Sequence, residues 1–270
     1  RECMREVMDG IASDPRCRLG GWMREALSIE AVLSEENVRD AVRSLRAHTT
    51  PGKDGIPIDF YQAFLEEEGL LAHLCSLFRE VYEKGEMPAT MRESVVAMLY
   101  KNKGERADPS MYRPITLTAA TYRILGRAMA QRLAFVLKQM VGDSQIAFQS
   151  SRHIRENIDL VTEIIRFCEN DETEAGGLAF ILDNSKAYDR VQWPFLQETL
   201  KAFGIPDCFR RMVGAMYNKT SVQLRVNGTL GDGIDVKAGL KQGDPLSCTL
   251  FILVQEVLLR MIRENEAIRG

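Results

Sequence analysis

The most restrictive feature of the sequence is a pair of β-rich segments in a chain that otherwise follows helical periodicity. The segments are residues 94–100 and 112–117, and the polar stretch between them holds Gly104 and Pro109. Two such segments joined by a polar loop predict a β-hairpin. Because helical patterns precede and follow this hairpin, the predicted fold class is α+β, with an antiparallel sheet packed on helices.

Helical signals lie on both sides of the hairpin. Ser34 is a typical N-cap, because Glu35 and Glu36 follow it in the first turn of an apolar-periodic segment. Gly85 ends a second helical pattern over residues 70–84. Residues 1–21 lack a clear period and predict an irregular lead-in. Further helices are predicted from about Pro57, over 119–141 and 155–168, from Pro194, and over 206–218 and 246–263.

Two more β-segments are predicted in the second half of the chain. Residues 177–182 are an apolar run that reads as a buried strand ending at Asp183. Residues 221–226 alternate as a strand does, Asn227-Gly228 is a strong turn signal, and 234–240 is a possible return strand. Asp244 then caps the last helix, because Pro245 stands at its first position.

Charge and cysteine content limit the possible functions. With a net charge of −3 and a pI near 5.8, the chain lacks the basic character that phosphate binding usually leaves. Its six cysteines form no C-x-x-C pair, which argues against zinc and fits reduced thiols in an intracellular protein. No signal peptide and no apolar run of bilayer length is recognised, so no membrane partner is expected.

Basic residues nevertheless cluster in one part of the chain. They follow one another at helical spacing in the predicted helix 119–141 and continue just beyond it. A row of this kind is usually a solvated helix face, but it is also what a nucleic-acid path would use to contact phosphates. The residues are Arg123, Arg127, Arg132, Lys138, Arg152 and Arg155.

Five segments of the sequence resemble, in order, motifs of reverse transcriptases of the LINE (non-LTR retrotransposon) type. Residues 181–189 read I-L-D-N-S-K-A-Y-D, similar to the first catalytic motif L-D-F-x-K-A-F-D, and 239–247 read G-L-K-Q-G-D-P-L-S, similar to the next one. Upstream, 50–55 match the P-G-x-D-G element, the hairpin resembles that of the fingers, and 145–157 resemble Q-x-G-F-x-x-x-R. The chain departs from the family at Asn184, usually apolar, and at Ala147, usually Gly.

The resemblance implies a right-hand polymerase fold and an RNA-directed DNA polymerase. The implied parts are a lead-in and helix over 1–48, fingers over 49–174 with the hairpin 94–117, and a partial palm over 175–270. The whole protein would add dNTPs to a DNA primer on an RNA template by two-metal catalysis, inside the cell and by resemblance in the nucleus.

The sequence lacks the family's third catalytic motif, an aromatic-x-Asp-Asp turn. It begins with Arg1, so we expect a piece of a longer protein that ends before this motif and the thumb, with little polymerase activity of its own. The alternative function is a decayed reverse-transcriptase fold that binds RNA or protein without chemistry. The motif residues favour the enzyme, and the parent sequence after Gly270 would decide between the two.

The candidate metal ligand is Asp183. An aspartate after an apolar strand is often only a cap or turn residue, but a strand end also holds a carboxylate rigidly at a cleft. The resemblance implies that Asp183 binds two Mg²⁺ ions about 4 Å apart and that the main-chain carbonyl of Asn184 helps to hold one of them. Asp189 is expected to stabilise the palm and not to bind metal.

The candidate nucleotide-binding residues lie in three motifs. Lys101 and Arg113 could be ordinary surface cations, but the resemblance implies that they bind the incoming triphosphate, with Lys103 as a competing candidate. Tyr188 is either a core aromatic or, by resemblance, a steric gate that excludes a 2′-hydroxyl. Gln242 and Gly243 form either a simple helix lead-in or the side of the nucleotide pocket.

Overall fold

The computed structural model describes residues 2–142, 145–147, 153–170, 181–265 and 267. The helices within them are α1 (Glu2–Ser13), α2 (Gly21–Ala26), α3 (Ile29–Val32), α4 (Glu35–Ser44), α5 (Ile58–Ala63), α6 (Leu70–Lys84), α7 (Ala89–Arg92), α8 (Ala120–Met140), α9 (Ile154–Glu169), α10 (Trp193–Ala202), α11 (Asp207–Tyr217) and α12 (Pro245–Arg263). The strands are β1 (Glu93–Tyr100), β2 (Tyr112–Leu117), β3 (Ser221–Val226) and β4 (Thr229–Asp235). The α+β class and the predicted hairpin are confirmed.

The four strands form one sheet in the order β2-β1-β3-β4. β1 pairs antiparallel with β2, with Tyr100 opposite Tyr112, and β3 pairs antiparallel with β4. β1 and β3, however, run parallel, so the prediction of an antiparallel sheet is wrong for the central pair. A parallel neighbour needs a long crossover connection, and the helices α8 to α11 lie between β2 and β3 in the chain.

One strand prediction in the second half needs correction, and another lies mostly outside the described residues. Ile181 and Leu182 are 96% and 79% exposed and belong to no strand, and residues 171–180 lie outside the described part. Among the described strands none pairs with Ile181 or Leu182, and a strand needs a neighbouring backbone to pair with. The return strand is β4 and starts directly after the predicted Asn227-Gly228 turn, earlier than 234–240, because both turn residues have positive φ.

The predicted irregular lead-in is largely helical. α1 contacts α10 and α12 and buries Val7 and Ile11 in the common core. Arg260 of α12 adds an ion pair with Asp14 just beyond α1, at 2.8 Å. A short helix is marginal by itself and is stabilised mainly by packing, so its own residues give a weak signal in the sequence.

α8 is the centre of the core, in contact with α4 on one side and α12 on the other. Tyr122, Leu125 and Met129 on α8 are fully buried, and each such side chain contributes about 1.5–3 kcal/mol by leaving water. α12 is long and apolar enough to cross a membrane by length and composition, contrary to the sequence prediction. Half of its apolar stretch is buried within the protein, as is also usual for a core helix.

The loop of the P-G-x-D-G element packs directly on the beginning of α8. A Cβ atom at Gly52 would lie 2.4 Å from the backbone nitrogen of Ala119 and 2.6 Å from the carbonyl carbon of Thr118. No side chain fits at that distance, so the close approach requires glycine at this position. The contact fixes the loop between α4 and α5 against β2 and α8.

Candidate active site

Asp183 lies on the rim of a cavity of about 570 Å³ that α10 and α12 border. The residue is exposed, and Asn184 next to it donates a side-chain hydrogen bond to Gln255 of α12 at 3.2 Å. This bond turns the Asn184 amide toward α12. The resemblance assigns metal binding to a different atom of this residue, its main-chain carbonyl.

Asp183 is the one carboxylate among the described residues that line this cavity, and Arg190 is a cation in the same lining. Across the described residues, no group of three or more His, Cys, Asp or Glu side chains could hold a metal ion. Mg²⁺ prefers several hard oxygen ligands, and one carboxylate with neutral amides is an incomplete set for two dications. The two-ion site expected from the resemblance is thus not complete within this part of the chain.

Tyr188 is half-buried at the edge of the same region. Its ring stacks on Phe251 of α12, with the ring centroids 4.8 Å apart, and its hydroxyl donates a hydrogen bond to the Cys248 sulfur at 3.6 Å. Burial raises the pKa of the Tyr188 hydroxyl, and the bond to Cys248 adds to this effect. The ring is therefore held at one position and remains partly accessible. This arrangement is compatible both with a core aromatic and with a steric gate that excludes a 2′-hydroxyl.

The segment with Tyr188 is joined to the second motif by backbone hydrogen bonds. The N–H of Leu240 donates to the Tyr188 carbonyl at 2.9 Å, and that of Gly239 donates to the Val191 carbonyl at 2.8 Å. A Cβ at Gly239 would lie 3.2 Å from the Asp189 backbone, and its φ of +94° also favours glycine. The two motifs, distant in sequence, thus pack backbone to backbone.

Gln242 and Gly243 are the central residues of a tight turn. The Asp244 N–H donates to the Lys241 carbonyl at 3.2 Å, and Gly243 has a φ of +104°, as the third residue of a type II turn requires. The Gln242 carbonyl accepts a hydrogen bond from the Thr116 N–H of β2 at 3.0 Å. This turn is therefore attached to the hairpin as well as to the segment of Tyr188.

Both ends of the turn are buried. Asp244 caps α12 as predicted, accepting from the Leu246 N–H at 3.3 Å and from the Ser247 hydroxyl at 3.2 Å. Burial raises its pKa to about 6. The Lys241 ammonium lies 4.0 Å from the centroid of the Tyr122 ring, without a hydrogen-bond partner among the described residues, and burial lowers its pKa to about 8.

Sequence reasoning missed the role of Lys241, because a lysine in a polar turn usually points to solvent. The available signal was its place directly before Gln242, at the first position of the turn that Asp244 closes. Gly126 of α8 belongs to the same arrangement, because a Cβ there would lie 2.6 Å from a carboxylate oxygen of Asp244.

Lys101 and Arg113 lie on one face of the hairpin. Leu99 is directly opposite Arg113, and the Lys101 N–H extends the ladder by a bond to the Met111 carbonyl at 2.9 Å. Since side chains alternate along a strand, Lys101 shares the face of Leu99 and is a diagonal neighbour of Arg113. The Lys101 ammonium also bonds the Ser110 carbonyl at 2.8 Å, and Lys103 lies exposed at the tip of the loop.

Arg113 also shares its face of β2 with Ile115, whose side chain would lie 3.8 Å from a Cβ placed on Gly243. The two residues are separated by two positions, which is about 7 Å along a strand. The predicted triphosphate ligands and the predicted pocket wall thus occupy the same side of β2.

The basic row on α8 is partly used inside the fold. Arg127 bonds the Ser44 hydroxyl at 2.9 Å and Arg132 bonds the Asn37 side chain at 3.0 Å, so both attach α8 to α4. Arg123 bonds the Thr49 hydroxyl at 2.8 Å. Lys138 is exposed, Arg155 is 3.7 Å from Asp159 on α9, and Arg152 lies outside the described residues.

Comparison with known proteins identifies a family for this arrangement. The family described as reverse transcriptase (RNA-dependent DNA polymerase) matches residues 100–269. The chain is 30% identical over 88% of its length to the Transposon TX1 uncharacterized 149 kDa protein of Xenopus laevis, of which it covers 18%. It is 27% identical over 84% of its length to the Retrovirus-related Pol polyprotein from type-1 retrotransposable element R2 of Nasonia vitripennis, covering 21%.

A third relative is the RNA-directed DNA polymerase from mobile element jockey of Drosophila melanogaster, 25% identical over 84% of this chain. This chain covers 24% of that protein, so it spans about a fifth to a quarter of the curated relatives it matches. The family match over residues 100–269 includes the hairpin from the end of β1 onward, the segment after Asp183 and the turn before α12.

Proposed function

Because this chain belongs to the reverse transcriptase family, as a domain of the LINE type, we propose that the whole protein is an RNA-directed DNA polymerase. It would extend a DNA primer with dNTPs on an RNA template. Within it, the hairpin and its neighbouring helices would be part of the fingers, and the residues from about 175 onward part of the palm. The family match favours this function over a binding module without chemistry.

One observation carries the proposal, which is that three motifs distant in sequence are connected directly. Leu240 is hydrogen-bonded to Tyr188, and Gln242 is hydrogen-bonded to Thr116 of β2. Backbone contacts of this kind hold the side chains of the three motifs in fixed relative positions. A nucleotide that contacts Arg113 can therefore meet the turn of Gln242 within the same site.

The proposed roles follow the chemistry of each group. Lys101 and Arg113, as neighbouring cations on one hairpin face, would bind the triphosphate, with Arg supplying bidentate hydrogen bonds and Lys a point charge. Tyr188 would lie under the sugar, and the turn of Gln242 and Gly243 would form the side of the pocket. Such preorganised groups stabilise charge that develops on the leaving pyrophosphate.

Asp183 alone cannot hold two magnesium ions. The proposal therefore assigns to it one carboxylate of a metal site whose remaining ligands belong to the whole protein. Its exposed position on the cavity rim supports this role, because a ligand of a shared site must be accessible to the substrate and to other protein groups.

The test is RNA-templated primer extension by the whole protein with Asp183→Ala. We expect extension to be lost, while Asp232→Ala on the exposed strand β4 serves as the matched control and retains it. Circular dichroism and thermal unfolding establish that both variants are folded. Extension at the wild-type rate by folded Asp183→Ala would contradict the assignment.

A further inference from the structure

Lys241 is a buried cation to which the proposed function gives no role. It is only 7% exposed, and its ammonium has no hydrogen-bond partner among the described residues. Lysine is rarely buried without a paired acid, because its ammonium loses its hydration. Exceptions of this kind to the ordinary rules of burial are expected where a residue serves a functional site and not the stability of the fold.

The ring of Tyr122 partly replaces the lost hydration of the Lys241 ammonium, which lies 4.0 Å from the ring centroid. A cation over the face of an aromatic ring is attracted by the ring electrons, and the attraction is strongest where water is excluded. Tyr122 is fully buried on α8, the helix at the centre of the core. The contact therefore attaches the first residue of the tight turn to a helix whose position the core fixes.

Asp244 attracts the same ammonium from the other end of the turn. Burial lowers the pKa of Lys241 to about 8 and raises that of Asp244 to about 6, and the attraction between the two groups opposes both shifts. Between these two values both groups are charged. Because the Asp244 N–H also donates to the Lys241 carbonyl at 3.2 Å, opposite charges at the first and fourth positions favour the closed turn.

The closed turn has a backbone hydrogen bond on each side of Lys241. The residue before it, Leu240, donates its N–H to the Tyr188 carbonyl at 2.9 Å. The residue after it, Gln242, accepts at its carbonyl from the Thr116 N–H of β2 at 3.0 Å. A change in how Lys241 is held is therefore transmitted through the backbone to Gln242.

We propose that Lys241 is a positioning residue of the nucleotide pocket: its ammonium, held on the Tyr122 ring and attracted by Asp244, keeps the tight turn closed and Gln242 fixed against β2. The reference to the pocket rests on the proposed function, whereas the hold on the turn rests on the contacts alone. Lys241 acts only through Gln242. Its charge therefore favours nucleotide binding although its burial costs stability.

The main test variant is Lys241→Met, which keeps the length of the side chain and removes the charge. Lys241→Arg keeps a cation on the ring, and Lys201→Met, at an exposed position of α10, is the control with the same change in charge. In the 270-residue chain at about pH 7, urea unfolding measures stability and NMR measures hydrogen exchange of the Thr116 amide. This amide reports on the turn because its partner is the Gln242 carbonyl.

Lys241→Met should unfold at the urea concentration of the wild type or at a higher one, because a buried charge is removed. Exchange of the Thr116 amide should nevertheless become about tenfold faster. The Lys101 amide, bonded to the Met111 carbonyl at the far end of the hairpin, is the internal reference and should not change. Lys241→Arg and Lys201→Met should both keep the exchange of Thr116 near the wild-type rate.

In the whole protein, Lys241→Met should raise the KM for the nucleotide about tenfold and leave the KM for the primer–template unchanged. Gln242→Ala should also raise the KM for the nucleotide. Adding Lys241→Met to Gln242→Ala should produce no further rise, because Lys241 acts through Gln242.

Three results would overturn the proposal. If Lys241→Met unfolds at lower urea and the Thr116 and Lys101 amides exchange faster together, Lys241 is an ordinary part of the core. If Thr116 exchanges at the wild-type rate in Lys241→Met, the charge does not hold the turn. If the effects of Lys241→Met and Gln242→Ala on the nucleotide KM multiply, Lys241 does not act through Gln242. Amide exchange needs no DNA synthesis, so it tests the hold on the turn even if the proposed function fails.

Discussion

Replacing Asp244 by Asn is expected to change how the stability of the protein depends on pH. Asp244 and Lys241 are buried together at the ends of one turn, with the rings of Tyr122 and Tyr217 around them. Burial disfavours the charged form of each group, so it raises the pKa of the carboxyl to about 6 and lowers that of the ammonium to about 8. The two shifts act on different sides of neutral pH.

For Asp244 the folded protein keeps the proton up to about pH 6, whereas the unfolded chain loses it near the ordinary pKa of 3.8. This contribution to stability is fully present below pH 3.8 and is lost as the pH rises through 6. For Lys241 the contribution is present above 10.5 and is lost as the pH falls through about 8. At about 1.36 kcal/mol per pKa unit, each shift corresponds to about 3 kcal/mol.

The summed contribution of Asp244 and Lys241 to the free energy of unfolding is therefore expected to be smallest between about pH 6 and pH 8, the range in which many proteins are most stable. Urea unfolding at a series of pH values, followed by the fluorescence of Trp193, measures the free energy of unfolding. Trp193 suits the purpose because its indole N–H bonds the Gly239 carbonyl at 2.9 Å, next to the turn.

Asp244→Asn should flatten the acid side of this profile, because Asn retains the capping oxygen without the charge. Lys241→Met should flatten the alkaline side, since it keeps the apolar stem without the ammonium. Asp232→Asn, at an exposed position on β4, is the control and should leave the profile unchanged. The reasoning is refuted if wild type and Asp244→Asn show the same pH dependence of the unfolding free energy between about pH 4 and pH 6.

Three further predictions concern the site and the loop. In the whole protein, Tyr188→Val should lower the ratio of kcat/KM for a deoxynucleotide to kcat/KM for its ribonucleotide. Tyr188→Phe keeps the stacked ring and should keep this ratio. An equal loss of kcat/KM for both substrates would identify Tyr188 as a core aromatic and not as a steric gate. Arg113→Ala should raise the KM for the nucleotide or lower the rate by the equivalent of ~1–3 kcal/mol. A fall in RNA affinity with unchanged nucleotide kinetics would contradict the role of Arg113 in triphosphate binding. Gly52→Ala should lower the unfolding free energy by ~1–3 kcal/mol, whereas Gly10→Ala, with open space around it, should not; equal urea midpoints would contradict the clash.

Elements with local signals could be predicted from the sequence. α6 spans the predicted 70–84, and Gly85 ends it with a φ of +68°. Ser34 accepts a hydrogen bond from the Asn37 N–H as an N-cap should. These features depend on the conformational preference of one residue or on a hydrogen bond within one turn, so neighbouring residues are enough to specify them.

Features that depend on distant partners could not be predicted. The parallel pairing of β1 with β3 and the burial of α1 against α12 are decided by where other elements lie. α9 was predicted as a helix from its apolar spacing, yet none of its residues is buried among the described ones. The burial of Lys241 also belongs here, because only the packing of α8 on the turn removes its ammonium from water. The roles of the candidate site residues stay predictions.

The tight turn from Lys241 to Asp244 connects the two parts of the proposed site. Gln242 would form the wall of the proposed nucleotide pocket, and its carbonyl accepts a hydrogen bond from the Thr116 N–H of β2. The ends of the turn are buried and the hydrogen bond from Thr116 fixes its middle, so the turn can move only if this packing changes. A change of charge at either buried end is therefore expected to affect both the hairpin and the segment of Tyr188, because Gln242 is hydrogen-bonded to Thr116 and Leu240 to Tyr188.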